Sequence, residues 1–284
     1  MLVIILKIMI SNKQRIPGLY HIVNTQKQPG MVVAEIGCFE GETTLEYIDI
    51  VRQMKGHVYV LDWMCGSETG TFNPKENSHG FKSQQKDRDG QRQRLEKNLK
   101  EYIDIGMVTI LDGPSGDLIN LIPNRSLDVC FIDADHRYHS VYRDIDLCIH
   151  KVKFGGVLCG HDCELFLPIE FLGPKIPTKY CTRDHPDNAP ITDFISIKEI
   201  ENKTNIPSEH LAVGFENSAN PEIMHQKLIK DLWIHAGVIR AVWDQFGKMA
   251  TIINPKIDPL GVWYIEINNQ TIEKWINQKS VVEN

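Results

Sequence analysis

Short apolar runs alternate with stretches of helical periodicity through the middle of the chain, and this alternation constrains the fold more than any other feature. An apolar run bounded by a glycine or an acidic residue is typical of a strand that is buried on both faces. Alternation of such strands with helices indicates a parallel sheet covered by helices on both sides. The predicted strands are residues 32–36, 58–61, 108–111, 127–132 and 157–159.

Helices are predicted at residues 41–54, 91–105 and 138–151, and Gly155-Gly156 predicts a turn before the fifth strand. Strand–helix repeats with right-handed crossovers form a doubly wound, Rossmann-like sheet. A further helix at 234–246 and an apparent hairpin, 250–253 with 262–267, follow later in the chain. We therefore predict an α/β fold with a mostly parallel seven-stranded sheet and a C-terminal β-hairpin.

The proline-rich segment 164–231 interrupts this rhythm, and we interpret it as an insertion or lid after the fifth strand. The prediction is a single domain over residues 1–284, with its core at about 30–163 and 232–267. Residues 1–10 are apolar but broken by Lys7, too short to cross a bilayer, and are predicted to pack on the core as a terminal strand or helix.

The charge and the cysteine content of the chain limit which partners and which cellular compartment suit the protein. The formal charge is −6 with a pI near 6.0, which argues against a nucleic-acid binder because such a protein needs a basic face. Seven cysteines without a CxxC pair are typical of free thiols in a reducing compartment. We predict a cytoplasmic protein with no nucleic-acid or membrane partner, and the oligomeric state, including a homo-oligomer, is left open.

Two glycines and an aspartate suggest a nucleoside ligand. Gly37 and Gly41 follow the first predicted strand, where a Cβ would clash with a closely approaching nucleotide. Their spacing is G-x-x-x-G, which differs from the dinucleotide pattern G-x-G-x-x-G. Asp62 ends the second strand about 20 residues later, a position that suits ribose hydroxyls, although it could instead cap a turn.

Four segments carry a resemblance to a known family. Residues 33–44, VAEIGCFEGETT, resemble motif I of class I S-adenosylmethionine-dependent methyltransferases. Residues 131–138, FIDADHRY, and 155–162, GGVLCGHD, resemble later motifs of the metal-dependent O-methyltransferase branch, which holds the catechol- and caffeoyl-type enzymes and the macrocin-type sugar enzymes. Residues 235–242, HAGVIRAV, are similar to a segment of uncharacterised members. The resemblance covers roughly 30–163 and 232–267.

The resemblance implies S-adenosylmethionine as the cofactor. The residues it places around that cofactor are Glu35, Gly37, Gly41, Asp62, Asp112, Ser115 and Asp133. The first three would surround the methionine portion, Asp62 would bind the ribose, and Asp112 and Ser115 would lie near the adenine. Asp112 could instead cap a turn.

The resemblance also implies a divalent cation, most simply Mg²⁺, at Asp133 and Asp162. Carboxylates are the ligands that Mg²⁺ prefers, and a coordinated hydroxyl loses its proton more readily. The catechol-type enzymes have an asparagine after the second aspartate, whereas this chain has Cys163, a poor magnesium ligand. The third ligand is therefore left to His161 or Asp135, and a capping role for Asp135 at the following helix is favoured.

His136 is the predicted general base, because macrocin-type enzymes place a histidine at this position and an imidazole can accept a hydroxyl proton near neutral pH. The plainer alternative is a solvated histidine at a helix start. Asp133 is predicted to share the catalytic role.

We thus predict a methyltransferase that moves a methyl group from S-adenosylmethionine to a hydroxyl of a small molecule or sugar. In the insertion, Tyr180, Arg183 and His185 are candidate acceptor contacts. Three alternatives stay open: transfer to nitrogen on a peptide or small molecule, a nicotinamide-dependent oxidoreductase, which the glycine spacing disfavours, and a catalytically inactive binding module.

Overall fold

The apolar strands form the centre of one sheet, as their sequences predict. The computed structural model describes residues 15–64, 88–163, 169–177, 188–190, 195, 198–199, 202, 233–253 and 261–282. The central strands are β1 (Val32–Ile36), β2 (His57–Asp62), β3 (Val108–Asp112), β4 (Leu127–Ile132) and β5 (Val152–Gly160). Every residue of β4 is buried, because this strand lies inside the sheet with helices on both faces.

Two later strands complete the sheet at the β5 edge. They are β8 (Thr251–Ile252) and β9 (Trp263–Glu266), and the order across the sheet is β3-β2-β1-β4-β5-β9-β8. The pairs among the first five strands are parallel, whereas β9 is antiparallel to both of its neighbours. The predicted seven-stranded, mostly parallel sheet with a C-terminal hairpin is confirmed.

Helices cover both faces of the sheet. They are α1 (Pro17–Thr25), α2 (Glu42–Gln53), α3 (Arg88–Asn98), α4 (Lys100–Asp104), α5 (Ser115–Leu118), α6 (Tyr138–Cys148), α7 (Ile169–Leu172), α8 (Ala236–Phe246) and α9 (Asn269–Val282). Alternate residues of β1 serve the two faces: Val33 packs among residues of α1 and α2, and Ala34 and Ile36 among residues of α6 and α8.

The glycine pair before the fifth strand does not form the predicted turn. Gly155 and Gly156 lie inside β5, and the register with β4 shifts between Leu127 and Val129. Gly155 has a φ of +85°, and a Cβ at Gly156 would lie 2.8 Å from the Asp128 carbonyl oxygen. The prediction was wrong because the same residue type that permits a turn also permits an irregular strand to approach its neighbour closely.

Several helix boundaries also differ from the predictions, and the helix predicted at 234–246 begins at Ala236 because residues 234–235 belong to a short strand. The stretch predicted as one helix over 91–105 forms α3 and α4, separated at Leu99, and α6 ends at Cys148 rather than at 151. Residues 1–10 and the candidate acceptor contacts Tyr180, Arg183 and His185 lie outside the described residues.

A small second sheet links the described part of the 164–231 segment to the core. Strand β6 (Asn188–Pro190) pairs antiparallel with β7 (Trp233–His235), and Asn188 is the register partner of His235. β7 runs directly into α8, which packs on α6. Among the described residues, no helix has the length and apolar character needed to cross a membrane.

Candidate active site

The carboxyl ends of β1 and β4 lie side by side, and the loops that leave them are in contact. The amide of Asp133 donates a hydrogen bond of 2.8 Å to the carbonyl of Ile36. Gly37 has a φ of +89°, and a Cβ there would lie 2.1 Å from the carbonyl oxygen of Asp133. The protein's own backbone therefore requires glycine at this position, whereas the sequence suggested a nucleotide as the reason.

The loop between Gly37 and Gly41 is held by Asp62. Gly41 has a φ of +80°, and a Cβ there would lie 2.9 Å from the Leu95 side chain on α3. Phe39, between the glycines, has a φ of +48°, which is uncommon for an aromatic residue. Its amide donates a hydrogen bond of 2.8 Å to Asp62 Oδ2. The carboxylate thus stabilises a loop conformation that the sequence did not reveal.

Asp62 is closely surrounded by donors. Oδ1 accepts a hydrogen bond of 2.7 Å from the Met64 amide and a longer one, 3.4 Å, from Gln91 Nε2. Burial raises the pKa of Asp62, and the amide hydrogen bonds oppose that rise in pKa. Asp62 does cap the turns around it, which is the plainer of the two roles considered, and its contact with a ribose stays a prediction.

Glu35, the last acidic residue before the loop, is fully buried. Its Oε2 accepts hydrogen bonds of 2.7 Å from Thr44 Oγ1 and 2.8 Å from Tyr47 Oη, both on α2. Burial raises the pKa of Glu35 to about 8, with the negative charges of Asp133 and Asp62 adding to the rise. Glu35 therefore joins the end of β1 to α2.

The two residues predicted near the adenine have protein partners. Asp112 is the register partner of Asp62. The Oδ2 atom of Asp112 lies 3.5 Å from Arg92 Nη1. Ser115 begins α5 and donates a hydrogen bond of 2.7 Å to Asp144 on α6. Asp112 thus lies at the same edge of the sheet as Asp62, whereas the Ser115 side chain is directed to a neighbouring helix.

Two aspartates and three histidines converge where β4 and β5 end. We call Asp133, His136, His161, Asp162 and His235 the His–Asp cluster. His136 Nε2 lies 2.8 Å from Asp162 Oδ2 and 3.8 Å from Asp133 Oδ1. His161 Nδ1 lies 3.4 Å from Asp162 Oδ1 and 3.8 Å from Asp133 Oδ2. The predicted base and all three predicted metal ligands thus lie together.

Asp162 is the central residue of the cluster. Its side chain is only 7% exposed, and its φ of +57° directs the chain sharply out of β5. Burial alone would raise the pKa of Asp162, but the hydrogen bond from His136 and the positive charges of the three histidines outweigh it and hold the pKa well below its usual range. Burial would lower the pKa of His136, yet the two aspartates raise this pKa well above its ordinary value. Asp162 and His136 are therefore an ion pair in this arrangement.

Asp135, the other candidate for a third ligand, has a different role. Its carboxylate binds Arg137 through two guanidinium nitrogens and accepts a hydrogen bond of 2.8 Å from Ser140 Oγ. The residue at the cap position of α6 is Arg137, and it makes no side-chain capping bond. Asp135 Oδ1 also accepts a hydrogen bond of 3.3 Å from the backbone amide of Arg137, so Asp135 stabilises the start of α6 from two residues before the N-cap position.

His235 also belongs to the cluster, and its sequence position predicted no role for it. Its Nδ1 lies 3.8 Å from Asp162 Oδ1, and its ring packs edge-on against His136 with centroids 4.7 Å apart. It ends β7, a strand too short to show periodicity, and it lies far along the chain from the other members. The one available signal was its place in a segment similar to family members.

Residues 34–163 match the family described as a methyltransferase domain. This part of the chain is therefore similar to methyltransferase domains. It is just under half of the sequence, and it contains the glycine loop and every member of the His–Asp cluster except His235. The match confirms the methyltransferase resemblance in its general form, whereas the metal-dependent branch stays a prediction. No curated protein matches the chain significantly.

Several solved structures are similar to the chain at low identity. A candidate O-methyltransferase from Klebsiella pneumoniae is 12% identical over 91% of this chain and 84% of its own, with a TM-score of 0.44. A candidate caffeoyl-CoA O-methyltransferase from Staphylococcus aureus is 12% identical over 93% and 87%, with a TM-score of 0.43. A candidate sarcosine dimethylglycine methyltransferase from Galdieria sulphuraria is 14% identical over 51% of this chain and 42% of its own, with a TM-score of 0.32. The chain thus spans less than half of the Galdieria protein.

Proposed function

We propose that the protein transfers a methyl group from S-adenosylmethionine to a hydroxyl of a small molecule or sugar, assisted by a divalent cation and a histidine base. The observation that carries this proposal is the direct contact between the glycine loop and Asp133, because it places the predicted cofactor loop beside the His–Asp cluster. A methyl donor in the loop would therefore lie next to the groups that can activate an acceptor.

The loop has features that suit the methyl donor. Asp62 and Asp112 lie at neighbouring strand ends, where two carboxylates can accept hydrogen bonds from a nucleoside. Glu35, Gly37 and Gly41 would bound the methionine portion, with Ser115 nearer the adenine. S-adenosylmethionine would supply an electrophilic methyl group, and its neutral thioether would leave when the acceptor oxygen forms the new bond to carbon.

The donor set also fits a cation. Oxygens of Asp133 and Asp162 and a nitrogen of His161 lie within 4.8 Å of one another, so one ion could contact all three. A cation there would bind acceptor hydroxyls and lower their pKa. The two carboxylates match the preference of Mg²⁺ for oxygen, and His161 takes the place that Cys163 cannot fill.

His136 would take the hydroxyl proton. Its imidazole is one-third exposed and lies close to the carboxylates of Asp133 and Asp162. The exposed part of the ring would be accessible to an acceptor. His136 can accept a proton only when its ion pair with Asp162 is relieved, as it would be once the carboxylates coordinate a cation. The cation and the base are therefore coupled in this proposal.

The setting we propose is the cytoplasm, with a small-molecule or sugar acceptor and no nucleic-acid partner. The cysteines that the structure describes, Cys38, Cys130, Cys148, Cys159 and Cys163, are buried free thiols, which suits a reducing compartment. The charge of −6 is unfavourable for phosphate backbones.

Chelation tests the proposed chemistry. The protein is incubated with S-adenosylmethionine, Mg²⁺ and a panel of catechols, phenols and sugars, and release of S-adenosylhomocysteine is measured. We expect turnover on a hydroxylated acceptor that EDTA abolishes and added Mg²⁺ restores. Full turnover in EDTA would remove the cation from the mechanism, and turnover confined to amine analogues of the same acceptors would make nitrogen the acceptor atom.

A further inference from the structure

The His–Asp cluster contains a second group of ligand atoms besides the one assigned to Mg²⁺. His136 Nε2 lies 2.8 Å from one oxygen of Asp162, and His235 Nδ1 lies 3.8 Å from the other. All three ligand atoms lie within 4.8 Å of one another. A tetrahedral ion with bonds of about 2.1 Å separates its ligands by roughly 3.4 Å. Small side-chain rotations would bring one ligand atom from each residue, now within 4.8 Å of one another, to that spacing.

The fold brings the two histidines together through a close helix approach. A Cβ at Gly237, two residues after His235, would lie 2.5 Å from the carbonyl oxygen of His136 and 2.8 Å from the amide of Tyr138. Glycine therefore lets the first turn of α8 contact the loop that carries His136. Tyr138 Oη also donates a hydrogen bond of 3.0 Å to Asp244 on α8, which holds the two helices together.

The chemistry of this group differs from that of the first. Two imidazoles and one carboxylate suit borderline ions such as Zn²⁺ and Co²⁺, whereas Mg²⁺ prefers oxygen ligands. We infer that His136, Asp162 and His235 form a binding site for a transition-metal ion of the Zn²⁺ type, distinct from the magnesium group of Asp133, His161 and Asp162. Asp162 belongs to both groups, because its Oδ1 lies near His161 and His235 and its Oδ2 lies near His136.

Occupation of this site has a regulatory consequence, which rests on the proposed function. The nitrogen that would bind the ion is His136 Nε2, the same atom that would accept the hydroxyl proton. An ion held there would occupy the lone pair of the base, and it would compete with the magnesium group for Asp162. Zn²⁺ would therefore inhibit the Mg²⁺-assisted reaction.

Cobalt titration tests the site without any activity measurement. The chelator-treated full-length protein is titrated with Co²⁺, and the visible absorption of the protein-bound ion is recorded. We expect saturation at one equivalent, displacement by Zn²⁺, and a loss in Co²⁺ affinity of at least about tenfold in both His235→Gln and His136→Gln. His161→Gln separates the two groups and should keep the high affinity, and His139→Gln, an exposed neighbour, is the matched control.

The outcomes distinguish this site from the proposed function. Unchanged Co²⁺ affinity in a folded His235→Gln variant overturns the assignment, as does loss in His161→Gln with retention in His235→Gln. Circular dichroism establishes that each variant is folded. Methyl transfer with Mg²⁺ is measured separately, so an inactive protein that binds Co²⁺ through His235 contradicts the proposed function and leaves this site standing.

Discussion

Glu35 shows how burial changes the chemistry of one residue at the candidate site. Its pKa is raised from 4.5 to about 8 by burial, so the folded protein keeps a proton that the unfolded chain loses above pH 4.5. The folded state then binds more protons than the unfolded state between these two values. The free energy of unfolding should therefore fall as the pH rises through this window, by up to about 1.4 kcal/mol per pH unit.

Replacement of Glu35 by glutamine should remove this dependence. Glutamine keeps an oxygen for the hydrogen bonds of Thr44 and Tyr47 but has no charge to lose or gain. We expect Glu35→Gln to gain stability relative to the native protein as the pH rises from 5 to 8, measured by urea denaturation. Glu266→Gln, at an exposed position, is the control. If the free energy of unfolding depends on pH equally in the native protein and in Glu35→Gln, Glu35 is not held in its protonated form by the fold.

His136 is the proposed general base, and its replacement by alanine tests that role. If it is the general base, His136→Ala should lose turnover by at least about a hundredfold while the affinity for S-adenosylmethionine is kept. Calorimetry measures the affinity and product release the turnover, with exposed His139→Ala as the neighbouring control. A loss in affinity as large as the loss in turnover would count against a base and in favour of a structural role.

The candidate catalytic and metal-binding residues could be predicted from the sequence only where they follow a predicted strand. Asp133, His136, His161 and Asp162 lie just after β4 and β5, and parallel strands end at one edge of a sheet, so their convergence could be predicted. His235 could not, because its position depends on how α8 packs against α6. The role of Asp62 in holding Phe39 at positive φ was also hidden, since it depends on a backbone conformation.

At the level of elements, Gly37 fixes the distance between the β1 and β4 loops. Gly37→Ala should destabilise the protein by about 3 kcal/mol or more, because the residue has positive φ and its Cβ would meet the Asp133 carbonyl oxygen. Gly30→Ala separates the two causes: Gly30 also has positive φ, +72°, but no atom lies within 4 Å of its Cβ position.

Thermal or urea unfolding measures both variants. Gly30→Ala should cost about 1 kcal/mol, the conformational cost alone. Equal destabilisation by the two substitutions would show that the contact between the loops is unimportant.

The elements themselves were largely predictable because their apolar runs are uninterrupted. Leu127–Ile132 is apolar at all but one position, and no other structure buries such a run as simply as a central strand. Gly155-Gly156 was ambiguous, because glycine signals a departure from regular backbone without specifying whether a turn or an irregular strand results. The break at Leu99 has no glycine or proline to signal it, and this residue is buried against the glycine loop.

Across the whole molecule, the candidate site is assembled from distant parts of the chain. Residues 34–163, which match the methyltransferase domain family, supply the glycine loop and most of the His–Asp cluster, and a later segment supplies α8, β9 and His235. The two-stranded sheet joins Asn188 to the backbone at His235, so residues of the 164–231 segment lie beside the cluster. The part of this assembly that brings His235 and Asn188 to the cluster could not be predicted from local patterns, since it depends on how distant segments pack together.

Binding of S-adenosylmethionine tests the central claim most directly. The purified protein is titrated calorimetrically with S-adenosylmethionine in Mg²⁺ and again in EDTA, with NADH as the control ligand. We predict micromolar-range binding of S-adenosylmethionine in Mg²⁺ and no binding of NADH. A folded protein that binds no S-adenosylmethionine in either condition, or that binds NADH instead, would contradict the assignment of a methyltransferase.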